Sequence, residues 1–184
     1  MYTDPYKECP TLISDNFLLR LVEENDAKDL LECYSDIHAL PLFNSDNCPI
    51  DFYFNDEGKL LELIQFWLYE YSYGGYVRFA IVDQKKNKAI GTIEIFAKKE
   101  AFDFYNKVGV LRLDLKSTYE KEDVILELFD LVRRDFKNYF KIDYIITKVK
   151  EPAIVRKKVL SDINFTEVKD MQIVSYPYYY IGKV

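Results

Sequence analysis

Residues 117–123 read "STYEKED", with three acids and no glycine. They join a stretch that alternates apolar and polar residues to one with helical spacing. Such a junction offers an anion the unpaired N–H groups and positive dipole end of the helix. Here Ser117 and Glu120 have capping-box spacing, in which the hydroxyl accepts from a helix N–H and the Glu carboxylate reaches back to the Ser N–H. Glu120, Glu122 and Asp123 then crowd the first turn. The spacing predicts a helix end satisfied from within and unfriendly to phosphate. Each carboxylate ~6 Å from an anion costs roughly 1–3 kcal/mol at an effective dielectric of ~20, and Lys121 offsets one of them.

The other chemistry-bearing residues are sparse. Cys9, Cys33 and Cys48 are widely spaced, form no C-x-x-C pair and share the chain with a single histidine, His38. A structural zinc site takes four such ligands, so no metal is expected and reduced thiols in the cytoplasm are the better reading. The basic run "VRKK" at 155–158 reads as well as a solvated helix face as it does as a contact for phosphates. A net charge of −6 argues against nucleic acid as a partner. No signal peptide is recognisable, and the apolar runs fall short of the ~20 residues of a membrane helix.

The 184 residues, 49% apolar, fit one domain over 1–184 with a sizeable core. "FLLRLV" (17–22) reads as a strand and the segment after it as a helix, with Asp26 as its cap. Residues 38–58, rich in Pro, Asn and Asp, read as an irregular binding-type segment. A helix is expected over 59–71, a hairpin from 76–83 and 89–98, and a strand over 107–116. That strand puts Gly109, Leu111, Leu113 and Leu115 on one face and Val108, Val110, Arg112 and Asp114 on the other. A helix over 119–139 buries Val124, Ile125, Leu128, Val132 and Phe136. A strand at 143–149, a helix at 152–162 and a closing hairpin follow. The strand–helix–strand unit over 107–149 implies one parallel pair.

Three stretches carry a family resemblance: "LLRLVEENDAKDLLECYSD", "FAIVDQKKNKAIGTIEIF" with Gly91, and "VLSDINFTEVKD". They resemble the Gcn5-related N-acetyltransferase (GNAT) superfamily, and within it the branch acting on ribosomal-protein N-termini and small amines. The resemblance implies an α/β fold: a mixed, mostly antiparallel seven-stranded sheet with a V-shaped split between two parallel strands (107–116 and 143–149), flanked by about four helices. It implies acetyl-CoA as acyl donor. The pantetheine arm would bond to the backbone of Leu113 and Leu115, and the pyrophosphate would meet the following helix start at Glu120, Lys121, Asp123 and Val124. The chain departs from the family pattern there. Tyr119 matches, but Glu120 stands where the family has Arg, and Lys121 and Asp123 stand where it has glycine. On the last helix Ala153 and Arg156 replace an Asn-x-x-Ser-like pair, Leu160 replaces a frequent Tyr, and Asn164-Phe165 replaces Gly-Phe. Arg156 is a further candidate cofactor ligand. Restoring the pattern with Glu120→Arg, Lys121→Gly and Asp123→Gly is expected to tighten CoA binding.

A transferase needs a proton acceptor near the attacking amine. Glu94 and Asp114 are the catalytic candidates by position, each weighed against an ion-paired strand carboxylate. His38 is either a pocket residue or a structural histidine at a helix end. Tyr176 and Tyr178 belong to an aromatic strand that lines a pocket or supplies a general acid, or else is core or the interface of a homodimer. The expected function is acetyl-CoA-dependent transfer to an amine of a small molecule or protein N-terminus. The alternative is a GNAT-fold binding or regulatory module that has lost normal CoA pyrophosphate binding and catalyses nothing.

Overall fold

The computed structural model describes residues 2–43, 52–98, 107–169 and 177–184. Chain order gives β1 (Leu12–Ile13), β2 (Phe17–Leu21), α1 (Ala27–Tyr34), α2 (Glu57–Ser72), β3 (Val77–Asp83), β4 (Lys88–Lys98) and β5 (Val108–Leu115). Then come α3 (Glu122–Phe140), β6 (Tyr144–Lys148), α4 (Ile154–Asp162), β7 (Thr166–Glu167) and β8 (Tyr179–Lys183). One sheet takes all eight strands in the order β1-β2-β3-β4-β5-β6-β8-β7. Among the described residues only β5 and β6 run parallel, and α3 supplies the crossover that a parallel pair requires. The eighth strand is the two-residue β1, too short to leave a period in the sequence. No helix among the described residues is long and apolar enough to cross a membrane.

Period-two alternation sorts the sheet into two faces. Val77, Phe79 and Ile81 of β3, Ile93 and Ile95 of β4, and Leu111, Leu113 and Leu115 of β5 pack in one apolar cluster with α3 and α4. The α3 stripe is the expected one: Ile125, Leu128, Val132 and Phe136 are buried, and Phe136 stacks on Phe79 with ring centres 5.4 Å apart. Each such side chain contributes about 1.5–3 kcal/mol on burial. On the opposite face α1 and α2 pack Leu30, Tyr34, Leu60, Ile64 and Trp67 over Ala80 and Val82.

Three helix starts differ in detail from expectation. Asp26 holds the N-cap position of α1 but makes no side-chain cap bond; its carboxylate instead takes two bonds from Arg20 (2.7 and 2.8 Å) and one from the Glu23 N–H. The cap of α2 is Asp56, which accepts from the Lys59 N–H at 2.9 Å and starts that helix two residues early. Residues Ser117–Tyr119 form a 3-10 turn, so α3 begins only at Glu122.

Candidate active site

β5 and β6 pair from Val108↔Tyr144 to Leu111↔Thr147 and then part. β5 continues through Arg112–Leu115 still paired with β4, while β6 ends at Lys148. That parting is a V, and its β5 edge is the backbone of residues 112–115. Gly91 makes the β4 side possible: a Cβ there would lie 2.2 Å from the Asp114 carbonyl oxygen, inside any allowed contact.

A guanidinium from α4 lies in this opening. Arg156 donates from Nη1 to the Leu113 carbonyl oxygen (2.8 Å) and to the Leu42 carbonyl oxygen (3.1 Å). Its Nε donates to both oxygens of Glu120 (3.1 and 3.2 Å), and Nη2 closes the ion pair with the same carboxylate. Both partners are buried, with side-chain exposures of 2% and 8%. Arg156 thus ties together the α1–α2 connection, the V edge and the β5–α3 connection.

The capping box predicted for "STYEKED" is not formed. Ser117 instead donates its N–H to Asp36 Oδ2 at the end of α1 (2.9 Å). Burial works against the charge of Asp36, but bonds from Ser117, His38 and Ala39 outweigh it and hold the carboxyl below its usual range. Tyr119 donates to Asp83 (2.7 Å) and accepts from Lys86 (2.7 Å), fixing the turn against the β3–β4 hairpin. The N-cap position of α3 falls on Lys121, which offers no side-chain acceptor. The first intrahelical bond reaches it from Ile125 N–H (3.0 Å), so the N–H groups of Glu122, Asp123 and Val124 have no helical partner. Nor are the acids unopposed: Glu120 holds Arg156, and Glu122 holds Lys158 at 2.5 Å.

On the α1/α2 face of the sheet, beside the V, lies a row of charge. In register across three strands stand Arg78 of β3, Glu94 of β4 and Arg112 of β5. Arg78 pairs with Glu94 through Nη2, and its Nη1 bonds Thr92 Oγ1 (3.0 Å) and Asp114 Oδ2 (3.4 Å). Arg112 Nε bonds the Asp114 carboxylate at 3.1 Å. Tyr34 donates to Asp114 (3.0 Å) and shares a bond with the Thr92 hydroxyl (2.8 Å). Aromatic rings close the cluster, with Trp67 4.1 Å from the Arg78 Cζ and Phe52 3.8 Å from the Arg112 Cζ. Burial, reinforced by the charge of Asp114, pushes the Tyr34 hydroxyl well above the usual phenol range. Burial lowers Arg78, but Glu94, Tyr34 and Asp114 more than offset it, so this guanidinium stays charged.

No family model matches the chain, and no curated protein matches it. Solved structures do. An acetyltransferase (GNAT family) from Bacillus anthracis superposes with a TM-score of 0.69 at 13% identity, covering 95% of this chain and 98% of that one. A putative ribosomal-protein-serine acetyltransferase from Vibrio cholerae gives 0.69 at 10% identity, with both chains covered in full. Mycobacterium smegmatis RimJ in complex with CoA-disulfide gives 0.69 at 13% identity, covering 91% of this chain and 82% of that one. The fold is that of the GNAT acetyltransferases.

On this GNAT frame the predicted residues divide into groups. Leu113, Leu115, Glu120 and Arg156 converge on the V, and Lys121, Asp123 and Val124 lie at the start of α3. Glu94 and Asp114 share one network, but unequally. Asp114 is completely buried, while the Glu94 side chain keeps 14% of its surface. His38 is exposed at the end of α1, its N–H on Asp36. Tyr178 lies beside β8, its carbonyl accepting from Val149 (2.8 Å). Tyr176 and Cys48 fall outside the described residues. Among the described residues no cluster of His, Cys, Asp and Glu could hold a metal. Arg78, Arg112, Tyr34, Thr92, Trp67 and Phe52 were not expected at the site. Only the shared strand face of Arg112 and Asp114 announced any of them.

Proposed function

We propose that the protein is an acetyl-CoA-dependent N-acetyltransferase acting on the amine of a protein or peptide N-terminus or of a small molecule. One observation carries the reading: within a GNAT fold, the row that holds Glu94 lies on the lip of the V, beside the Leu113 edge where β5 and β6 part. The residues fit the donor. The Leu113 carbonyl is a working acceptor at that edge, since it already takes a donor from Arg156. The N–H groups of Glu122, Asp123 and Val124 carry no side-chain cap and form a helix N-terminus suited to a diphosphate.

Leu113 and Leu115 present the edge that would orient the pantetheine arm. Acetyl-CoA, when bound, supplies a thioester carbonyl carbon for attack by an uncharged amine. Glu94 is the group placed to take the amine proton, directly or through one water. Asp114 is too deep to meet an acceptor. It holds Arg78 and Arg112 in place, and these fix the row around Glu94. Arg156 has to release the Leu113 carbonyl when the donor settles against that edge. The reading extends to a cytoplasmic protein acting without nucleic acid or membrane, supported by the unpaired Cys9 and Cys33 and the net charge of −6.

Release of free thiol from acetyl-CoA in the presence of amine acceptors tests this. Burial pushes the Cys9 thiol to about 12 and Cys33 well above its usual value, which keeps both as thiols, and a blank without acetyl-CoA accounts for any signal from the protein's own cysteines. Amine-dependent turnover is expected. CoA release that does not depend on the amine, or none with any amine, refutes it.

A further inference from the structure

Two buried donors of the charged row have no hydrogen-bond partner: Arg78 Nε, enclosed beside Trp67, and Arg112 Nη2, which stands where β5 leaves β6. Arg112 uses Nε on Asp114 and lays its guanidinium face under Phe52, while Nη2 is closed off from solvent with no hydrogen-bond partner. An orphaned donor of this kind costs about 1–3 kcal/mol, and native interiors contain few. Its position is specific. Arg112 is the first residue of β5 beyond the last pair with β6, and it stands directly opposite Glu94 on β4. Cross-strand neighbours on one face lie within side-chain reach of each other. Phe52, the ring over the guanidinium, has φ +58°, a left-handed backbone that a bulky residue seldom adopts and that clusters at ligand sites.

We infer, on the transferase reading above, that Arg112 is a specificity-determining residue whose Nη2 takes the carbonyl oxygen next to the acceptor amine, so that the preferred acceptors are α-amino carbonyl compounds such as peptide N-termini. In such a compound only the Cα and the carbonyl carbon stand between the amine nitrogen and that oxygen. Glu94 can therefore face the amine while Arg112 holds the oxygen. The oxygen is that of a neutral carbonyl because the cluster is already balanced, with Arg78 and Arg112 against Glu94 and Asp114. A further carboxylate would enter without a counter-charge and lose its hydration. The acceptor reaches Nη2 as the Phe52 ring shifts from the guanidinium face.

The test uses the full chain and the Arg112→Lys variant, which keeps a cation beside Asp114 and removes the second donor. Glycinamide and propylamine are compared as acceptors, and the ratio of their kcat/KM values is taken in each protein. Comparing that ratio between the two proteins cancels the difference in amine reactivity. Arg112→Lys is expected to lower the glycinamide preference at least tenfold, mainly through the KM for glycinamide and beyond any loss that both acceptors share. An equal loss for both acceptors, or an unchanged ratio, overturns the inference. Binding separates this from failure of the transferase reading. In protein that acetylates neither amine, glycinamide is still expected to shift the Arg112 Nε–H resonance, and propylamine is not. Equal shifts, or none at saturating acceptor, overturn the assignment of Arg112 whatever the enzyme does.

Discussion

The Arg156 Nη1 lies 2.8 Å from the Leu113 carbonyl oxygen, so a side chain of α4 is bonded to the strand edge where β5 leaves β6. The same guanidinium holds Glu120, which places the β5–α3 connection under its control. Breaking either half of this buried pair leaves the other charge uncompensated. Arg156→Ala and Glu120→Ala are each expected to destabilise the fold by about 3–5 kcal/mol, and the double variant by clearly less than their sum. Urea melts of the four proteins measure this, and additive losses would show that the pair is not coupled.

The pairing reverses one sequence-based expectation. Glu120→Arg with Lys121→Gly and Asp123→Gly, designed to restore the family's loop pattern, sets a second guanidinium against Arg156 and removes its partner. The triple variant is expected to melt below the native protein and to bind CoA no more tightly. Calorimetry showing at least tenfold tighter binding, about 1.4 kcal/mol, with an unchanged melting temperature would contradict this account.

Glu94 and Asp114 separate by exposure. Glu94→Gln removes the proton acceptor but keeps a hydrogen bond to Arg78, so kcat should fall about 100-fold or more with a smaller stability loss than at Asp114. Asp114→Ala removes the counter-charge of two arginines and the acceptor of the Tyr34 hydroxyl in a fully buried site. It should cost about 3–5 kcal/mol whether or not activity is assayed. The reverse pattern, a stability loss at Glu94 and a pure rate loss at Asp114, would exchange their roles.

Asp36 predicts a pH dependence. Its folded-state pKa is depressed, so its contribution is fully present above its unfolded value, about 3.9 for a free Asp, and is lost as pH falls through the lower folded value. Asp36→Asn should therefore lower the melting temperature at pH 6 and make little difference near pH 2. A gap that persists undiminished at low pH would rule out the Ser117–Asp36 linkage as its source.

Gly91 is fixed by contact and not by backbone angle. Gly91→Ala drives a methyl into the Asp114 carbonyl, and forced displacement of this kind typically costs about 1–3 kcal/mol. Because β4 carries Glu94, activity should fall along with stability. A variant of native stability and activity would mean that the two strands part more readily than the register implies.

What could be read in the sequence was local. The Leu111–Leu113–Leu115 alternation and the α3 stripe depend on spacing within one element, and both stand as expected. Asn164, in place of the family's glycine, takes the left-handed position after α4 at φ +66°, which Asn tolerates, and Phe165 N–H closes the turn onto the Leu160 carbonyl (2.8 Å). The spacing of Ser117 and Glu120 suits a capping box, but their partners in the fold, Asp36 and Arg156, are distant in the chain. The charged row was illegible for the same reason. Arg78, Glu94 and Arg112 meet only through the register of three strands, which no spacing within one strand specifies.

The central claim is that the V between β5 and β6 takes an acyl-CoA. Titration of acetyl-CoA into isotope-labelled protein, followed through backbone amide resonances, tests it most directly. Saturable shifts are predicted at residues 111–115, at 120–125 and around Arg156, with the Arg156 side-chain resonances moving as Leu113 is released. The absence of shifts at millimolar acetyl-CoA, or saturable shifts confined to residues away from the V, would contradict the account.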